Sequence, residues 1–191
     1  MTFLSGERVE LEPLDPSDLT HVDAYRESRN HPAMRATGAY ETGLTTEEAR
    51  ERIRERRSGD SDGVPCAIRA EGEVLGWAGV TVTDDRARVA EVAYYVLPGG
   101  QGKGYATDAV RTLVAFAFAE LHANSVLARL RADNDPSRRV VEKVGFTREG
   151  TRREAYYREA DYHDIAIYGL LRSEWDGPAS DGERDEDDLD G

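Results

Sequence analysis

Lysine is almost missing from this chain. Lys103 and Lys143 stand beside 23 arginines, acids outnumber both together, and the 191 residues carry a formal charge of −13. That balance argues against a nucleic-acid partner, which requires a basic face. An acidic body so poor in lysine is similar in composition to proteins of salt-loving microbes. Cysteine is scarcer still. Cys66 is the only one, which excludes an intrachain disulfide and suits a cytoplasmic setting. It falls in Val64-Pro65-Cys66-Ala67-Ile68, a strand-like run where a buried, inert thiol is expected. His21, His31, His122 and His163 are scattered, and no ligand pair has helical zinc spacing, so no metal centre is expected. Long apolar runs are lacking too. No stretch approaches the ~18 residues of a membrane helix, and the N-terminus lacks a basic-then-apolar signal segment. Neither membrane insertion nor export is expected.

Apolar anchors also run out toward the C-terminus. Residues 176–191 hold eight acids and one arginine, a net −7 that leaves −6 for the rest, and Leu189 is their one aliphatic anchor beyond alanine. Such a segment cannot bury enough surface to order itself. The expectation is one domain over residues 1–175, long enough for a single core, and an acidic, disordered, solvating tail over 176–191.

Periodicity organises the body. Arg8 to Leu14 alternates apolar and polar, as a strand does. Asp15-Pro16 opens a helix to about Arg29, with Pro16 at its first position. Asn30 to Leu44 is irregular, and Thr45-Thr46-Glu47-Glu48 is a capping box for a charged helix reaching Arg57. After the loop S-G-D-S-D-G come strands Cys66–Ala70 and Val74–Val82, joined by a tight turn at Glu71-Gly72. Further strands are expected at Arg88–Val96, Ser125–Arg131, Arg148–Tyr156 and His163–Leu171, and helices at Tyr105–Leu121 and Ser137–Val144.

The densest chemical signal is P-G-G-Q-G-K-G-Y-A, Pro98 to Ala106, between a strand and an apolar helix. Gly99, Gly100, Gly102 and Gly104 let main-chain N–H groups converge without Cβ interference. The helix behind them adds unpaired amides and the positive end of its dipole. A phosphorylated cofactor is implied. A Walker loop is excluded because Gly104, not Ser or Thr, follows Lys103; the dinucleotide fingerprint fails because Tyr105 takes its third glycine position. What remains is Q/R-x-x-G-x-G/A, written here as Gln101-Gly102-Lys103-Gly104-Tyr105-Ala106. A second segment begins 33 residues after Gln101: Asn134-Asp135-Pro136-Ser137, a short amphipathic helix, then Glu142-Lys143-Val144-Gly145-Phe146. Asn134 or Asp135 can cap that helix, Pro136 suits its first turn and Gly145 can end it.

These two segments, in this order, resemble the cofactor site of the GNAT superfamily of N-acetyltransferases, in its RimJ/RimL-type branch. The resemblance runs to about Trp175. It implies an α/β (α+β) fold with a mixed, mostly antiparallel, twisted sheet of six to seven strands and about four flanking helices. It implies acetyl-CoA as cosubstrate, held by Gln101, Gly102, Lys103, Gly104, Tyr105 and Ala106, by Tyr95, Val96 and Leu97 on a splayed strand, and by Asn134 and Ser137. Transfer requires a deprotonated amine, a donor for the oxyanion and a partner for the departing thiolate. Ser137 matches the serine beside that sulfur, or it only caps its helix. Glu91 is the candidate base, or an exposed strand glutamate. Where some relatives carry a catalytic glutamate this chain has Tyr156, a candidate acid or substrate contact. His163 and Asp164, in Y-H-D-I-A-I-Y, could line the acceptor cleft or merely start a strand. The acceptor is a protein N-terminal amine, or a small amine such as a polyamine, amino acid or aminoglycoside. A non-catalytic acetyl-CoA-binding module is the third reading. Homodimers are common among such relatives, although no apolar surface stripe here demands one.

Overall fold

Strands that send alternate residues into two different cores need helices on both faces of the sheet, and this chain has that pattern. The computed structural model describes residues 1–32, 43–58, 63–158 and 160–177. Its elements run β1 (Leu4–Ser5), β2 (Glu10–Pro13), α1 (Leu19–Asn30), α2 (Thr46–Ser58), β3 (Gly63–Ala70), β4 (Glu73–Asp84), β5 (Val89–Val96), α3 (Tyr105–Ala119), β6 (Ser125–Arg131), α4 (Asp135–Val144), β7 (Thr147–Arg158) and β8 (Asp161–Leu171). Cys66, Ile68, Ala78, Val80 and Val92 enter the larger core with Val110, Leu113 and Val114 of α3 and Val141 of α4. Ala67, Trp77 and Tyr95 point the other way, against Val22 and Tyr25 of α1 and Ala49 and Ile53 of α2.

The sheet order is β1-β2-β3-β4-β5-β6-β8-β7. Every pairing is antiparallel except β5 with β6, the crossover made through α3. That one parallel ladder is short. It runs from Val89↔Ser125 to Glu91↔Leu127 and stops, while β5 stays on β4 to Val96 and β6 stays on β8 to Arg131. Gly76 allows the β4 side of this divergence, because a Cβ there would strike the Tyr95 carbonyl. Beyond Glu91 the two central strands part and leave a gap.

Several expectations need correction. The sheet has eight strands, not six to seven, because Leu4–Ser5 pairs with Leu11 and Glu10. Two residues carry no periodicity, and Phe3, packed edge-on against Phe116 at 5.3 Å, secures them. The first helix starts at Leu19 rather than Pro16. Asp15 Oδ1 accepts the Ser17 N–H at 2.8 Å in a turn of its own, and Asp18 becomes the cap by accepting the Thr20 N–H at 2.8 Å. The first long strand shortens to Glu10–Pro13 because the backbone of Arg8 and Val9 binds elsewhere, as described below. The Thr45 box forms as expected, with reciprocal bonds of 2.8 and 3.3 Å to Glu48. So does the turn at Glu71 (φ 53°) and Gly72 (φ 83°), whose left-handed pair matches a tight hairpin. Cys66 is fully buried, and burial pushes its thiol up to about 12. Most of the irregular segment after Asn30, the loop at 59–62 and the tail from 178 lie outside the described residues.

Candidate functional site

β5 ends in a loop built for exposed amides. Leu97 N–H bonds Leu75 O at 2.7 Å, Pro98–Gly100 makes one 3-10 turn, and the Gln101 side chain donates back to Val96 O at 2.9 Å. Gly102 (φ 77°) and Gly104 (φ 84°) are left-handed, a conformation costly for other residues. A Cβ added at Gly99 or Gly102 would meet nothing within 4 Å, so that face of the loop is open. Gly104 caps α3 without a side-chain acceptor, which leaves the first-turn amides to a ligand. An open cradle of main-chain donors at a helix start fits a pyrophosphate. Tyr105 and Ala106 turn their side chains into the core, so what they offer is backbone N–H.

The gap lies beside this loop. Val96 faces Gly76 across the β4 ladder while its neighbour Leu97 bonds β4. Ladder alternation therefore directs the Val96 N–H away from β4, toward the opening. Across the gap stands the first turn of α4. Asn134 Oδ1 accepts the Ser137 N–H at 3.2 Å, so Asn134 is the helix cap that the residues suggested, with Gly145 (φ 108°) closing the other end. The Ser137 hydroxyl is half-buried and lies within hydrogen-bond reach of the Tyr94 hydroxyl. Tyr94 bridges the opening by donating from its hydroxyl to the Ser137 carbonyl at 3.1 Å. Burial pushes its phenol up to about 12, which keeps the proton on the oxygen.

Glu91 sits where the parallel ladder ends, on the face opposite α3 and α4, as the alternation of β5 requires. Its carboxylate lies 2.9 Å from Arg129 on β6, with 26% of the side chain exposed. It is thus neither a free strand glutamate nor an unpaired base. On the β7–β8 hairpin Tyr156 pairs with His163, ring centroids 6.3 Å apart. Asp164 makes the hydrogen bonds of its strand-start reading. Its Oδ1 accepts the Glu154 N–H at 2.8 Å, and its carbonyl accepts the Ala132 N–H at 2.9 Å. Glu154 is left-handed (φ 50°) in the register break between Arg152 and Tyr156, so Asp164 anchors a bulge and ties the hairpin to the turn leading into Asn134. On that turn the Arg131 guanidinium holds the Asp133 carboxyl below the usual range, and the nearby His163 ring acts in the same direction.

Sequence reasoning missed Arg8, Tyr94, Arg129 and the Arg131–Asp133 pair. Tyr94 was visible as a phenol on an otherwise apolar strand face. Arg8 and Arg129 depend on contacts between distant segments and left no local signal, whereas Arg131 and Asp133 stand two positions apart and form a local pair. Among the described residues, no group of three or more His, Cys, Asp or Glu is placed to hold a metal, and no helix is long and apolar enough to cross a membrane.

The Acetyltransferase (GNAT) domain family matches residues 8–147. The "Putative ribosomal N-acetyltransferase YdaF" of Bacillus subtilis (strain 168) is 34% identical over 122 residues, 64% of this chain and 67% of the relative. Among solved structures, Mycobacterium smegmatis RimJ in complex with CoA-disulfide is 22% identical, with a TM-score of 0.78 over 89% of this chain and 85% of that one. A RimL ribosomal L7/L12 alpha-N-protein acetyltransferase in complex with coenzyme A is 21% identical, with a TM-score of 0.76 over 89% and 97%. The two structural likenesses concern the fold.

Proposed function

This chain belongs to the GNAT acetyltransferase family and is an acetyl-CoA-dependent N-acetyltransferase, and we propose that its acceptor is a protein N-terminal α-amine. The observation that carries the site assignment is the gap beyond Glu91, which opens between the amide cradle on one side and Ser137 on the other. The acceptor class draws its support from the ribosomal acetyltransferase names of the relative and of one structural neighbour.

In this reading the pyrophosphate of acetyl-CoA rests on the amides from Gly102 to Ala106, and the thioester reaches into the gap. Its carbonyl oxygen meets the Val96 N–H, a fixed main-chain donor that needs no reorganisation as charge develops. The acceptor comes from the opposite face, past Glu91 and toward Tyr156 and His163. Its neutral amine attacks the carbonyl carbon, a C–N bond forms, the C–S bond breaks, and CoA leaves as thiolate. The Ser137 hydroxyl, set beside the Tyr94 hydroxyl, turns to donate to that sulfur. A serine is a weak acid, so it stabilises the thiolate by hydrogen bonding rather than by full proton transfer. Glu91, held by Arg129, takes the amine proton through water.

Thiol release from acetyl-CoA, followed in high salt with peptides beginning Ser, Ala or Met and with a small-amine panel, tests this. Turnover on one peptide class, lowered by Ser137→Ala, is expected. Turnover confined to polyamines, amino acids or aminoglycosides would replace the acceptor. Tight acetyl-CoA binding with no thiol from any acceptor would replace catalysis by sensing.

A further inference from the structure

We propose that Arg8 is part of the cofactor site and that its guanidinium binds the pyrophosphate of acetyl-CoA. The inference rests on the reading that the Gly102–Ala106 cradle holds that group. Arg8 lies outside the glycine motif by 95 positions, yet its Nη1 donates to the Lys103 carbonyl at 3.3 Å, between the two left-handed glycines. A Cβ added at Gly104 would stand 3.7 Å from the same nitrogen.

The position of Arg8 is built rather than incidental. Asp108, in the first turn of α3 and 5% exposed, accepts the Arg8 N–H at 2.7 Å, the Val9 N–H at 3.0 Å and the Glu7 N–H at 3.2 Å. The helix that supplies the amide cradle therefore also fixes the backbone that carries Arg8. A guanidinium offers five N–H donors in a planar fork, and among the described residues that of Arg8 makes one donation, from Nη1 to the Lys103 carbonyl. No carboxylate among those residues pairs with it.

Charge gives the reason to expect a ligand there. The chain is at −13, and several arginines are matched, Arg129 with Glu91, Arg131 with Asp133 and Arg138 with Asp135, while Arg57 and Arg172 donate to main-chain carbonyls as Arg8 does. Lys103, the cation inside the loop, lies 3.6 Å from Glu71. Among the described residues, Arg8 is thus the cation touching the loop that pairs with no carboxylate. A phosphate entering an acidic protein needs such a partner, and a planar fork is suited to two phosphate oxygens at once.

The test is calorimetric binding of CoA, which reads the site without turnover, for the full chain, Arg8→Gln and Arg8→Lys at several salt concentrations. Arg8→Gln should raise the Kd for CoA about tenfold. Arg8→Lys should recover only part of the loss, and the salt dependence should be shallower in Arg8→Gln than in the parent. Dephospho-CoA should show the same penalty. Equal affinity of parent and Arg8→Gln would overturn the proposal. So would a penalty with unchanged salt dependence, which marks a prop for the loop, or a penalty that disappears with dephospho-CoA, which marks the 3′-phosphate. Urea midpoints establish that the variants are folded. A parent that binds no CoA would sink the cofactor reading and this proposal together, whereas binding without acetyl transfer would count against catalysis alone.

Discussion

Replacing Asp108 tests how the phosphate loop is held in register with the N-terminal strands. In Asp108→Ala, three backbone N–H groups lose one carboxylate at once. Glu7 and Arg8 are exposed and can turn to water; Val9 is 3% exposed and cannot. The stranded Val9 amide costs about 1–3 kcal/mol, and the two exposed, charge-assisted bonds add about 1 kcal/mol each after solvent takes its share. The sum is about 3–5 kcal/mol. Asp108→Asn keeps one oxygen, which can serve Arg8 and Val9 from the Oδ2 side, and loses only the longer bond to Glu7, about 1–2 kcal/mol. Urea unfolding reads both through the midpoint at constant slope. For a domain of this size, 4 kcal/mol lowers Tm by roughly 10 °C. If Asp108→Ala stays within about 1 kcal/mol of the parent, the clasp carries no weight and the fixing of Arg8 goes with it.

Tyr94→Phe removes the phenol hydroxyl that meets both the Ser137 carbonyl and the Ser137 side chain. It should lower kcat/KM about threefold to tenfold, and combined with Ser137→Ala it should cost less than the two effects added; full additivity would show that Tyr94 does not act through Ser137. Asp164→Ala frees the left-handed Glu154 and should raise KM for the acceptor while leaving KM for acetyl-CoA unchanged. Adding Glu154→Gly should recover much of the loss, because glycine adopts that backbone without strain, and absence of recovery would refute the bulge argument. Glu12 has its carboxyl lowered chiefly by a hydrogen bond from Arg69, opposed by burial and aided by His21, whose Nδ1 accepts the Asp15 N–H and so leaves the Nε2 proton to face Glu12. A depressed acid stabilises the fold above its unfolded pKa of about 4.3 and loses that contribution as pH falls through the folded value. Stability should therefore drop below about pH 4, and Glu12→Gln should flatten that part of the profile measured by urea midpoints.

Elements with strong local chemistry were legible before any fold was known. The glycine loop, the Thr45 box, the Glu71-Gly72 turn and the Asn134–Gly145 helix each carry their reason in neighbouring residues. Period-two alternation along Val89–Val96 puts Glu91 and Tyr95 on one face of β5 and Val92 and Val96 on the other, as the structure has them. Pro16 misled because two Asp residues three positions apart, Asp15 and Asp18, could each start a turn, and only tertiary packing decides which one caps the helix. β1 is too short to have a pattern. For Asp164 the sequence leaves a cleft residue and a strand-start hydrogen bond both open, because nothing local reveals that Glu154, ten positions earlier, adopts a positive φ. Arg8 and Asp108 meet across 100 residues, and an exposed arginine beside a strand looks like any other. The glycine loop was therefore legible because its chemistry lies in consecutive main-chain positions, while contacts between distant side chains stayed hidden.

Mass spectrometry of the acetylated product is the most direct check on the central claim. The full chain, acetyl-CoA and a peptide beginning Ser, with an internal lysine as competitor, should give one acetyl group on the α-amine. Gly104→Glu, which puts a carboxylate into the amide cradle at a left-handed position, should abolish the product while the fold survives by circular dichroism. Acetylation that persists undiminished in Gly104→Glu, or that appears only on the lysine side chain, would contradict the site and the acceptor respectively.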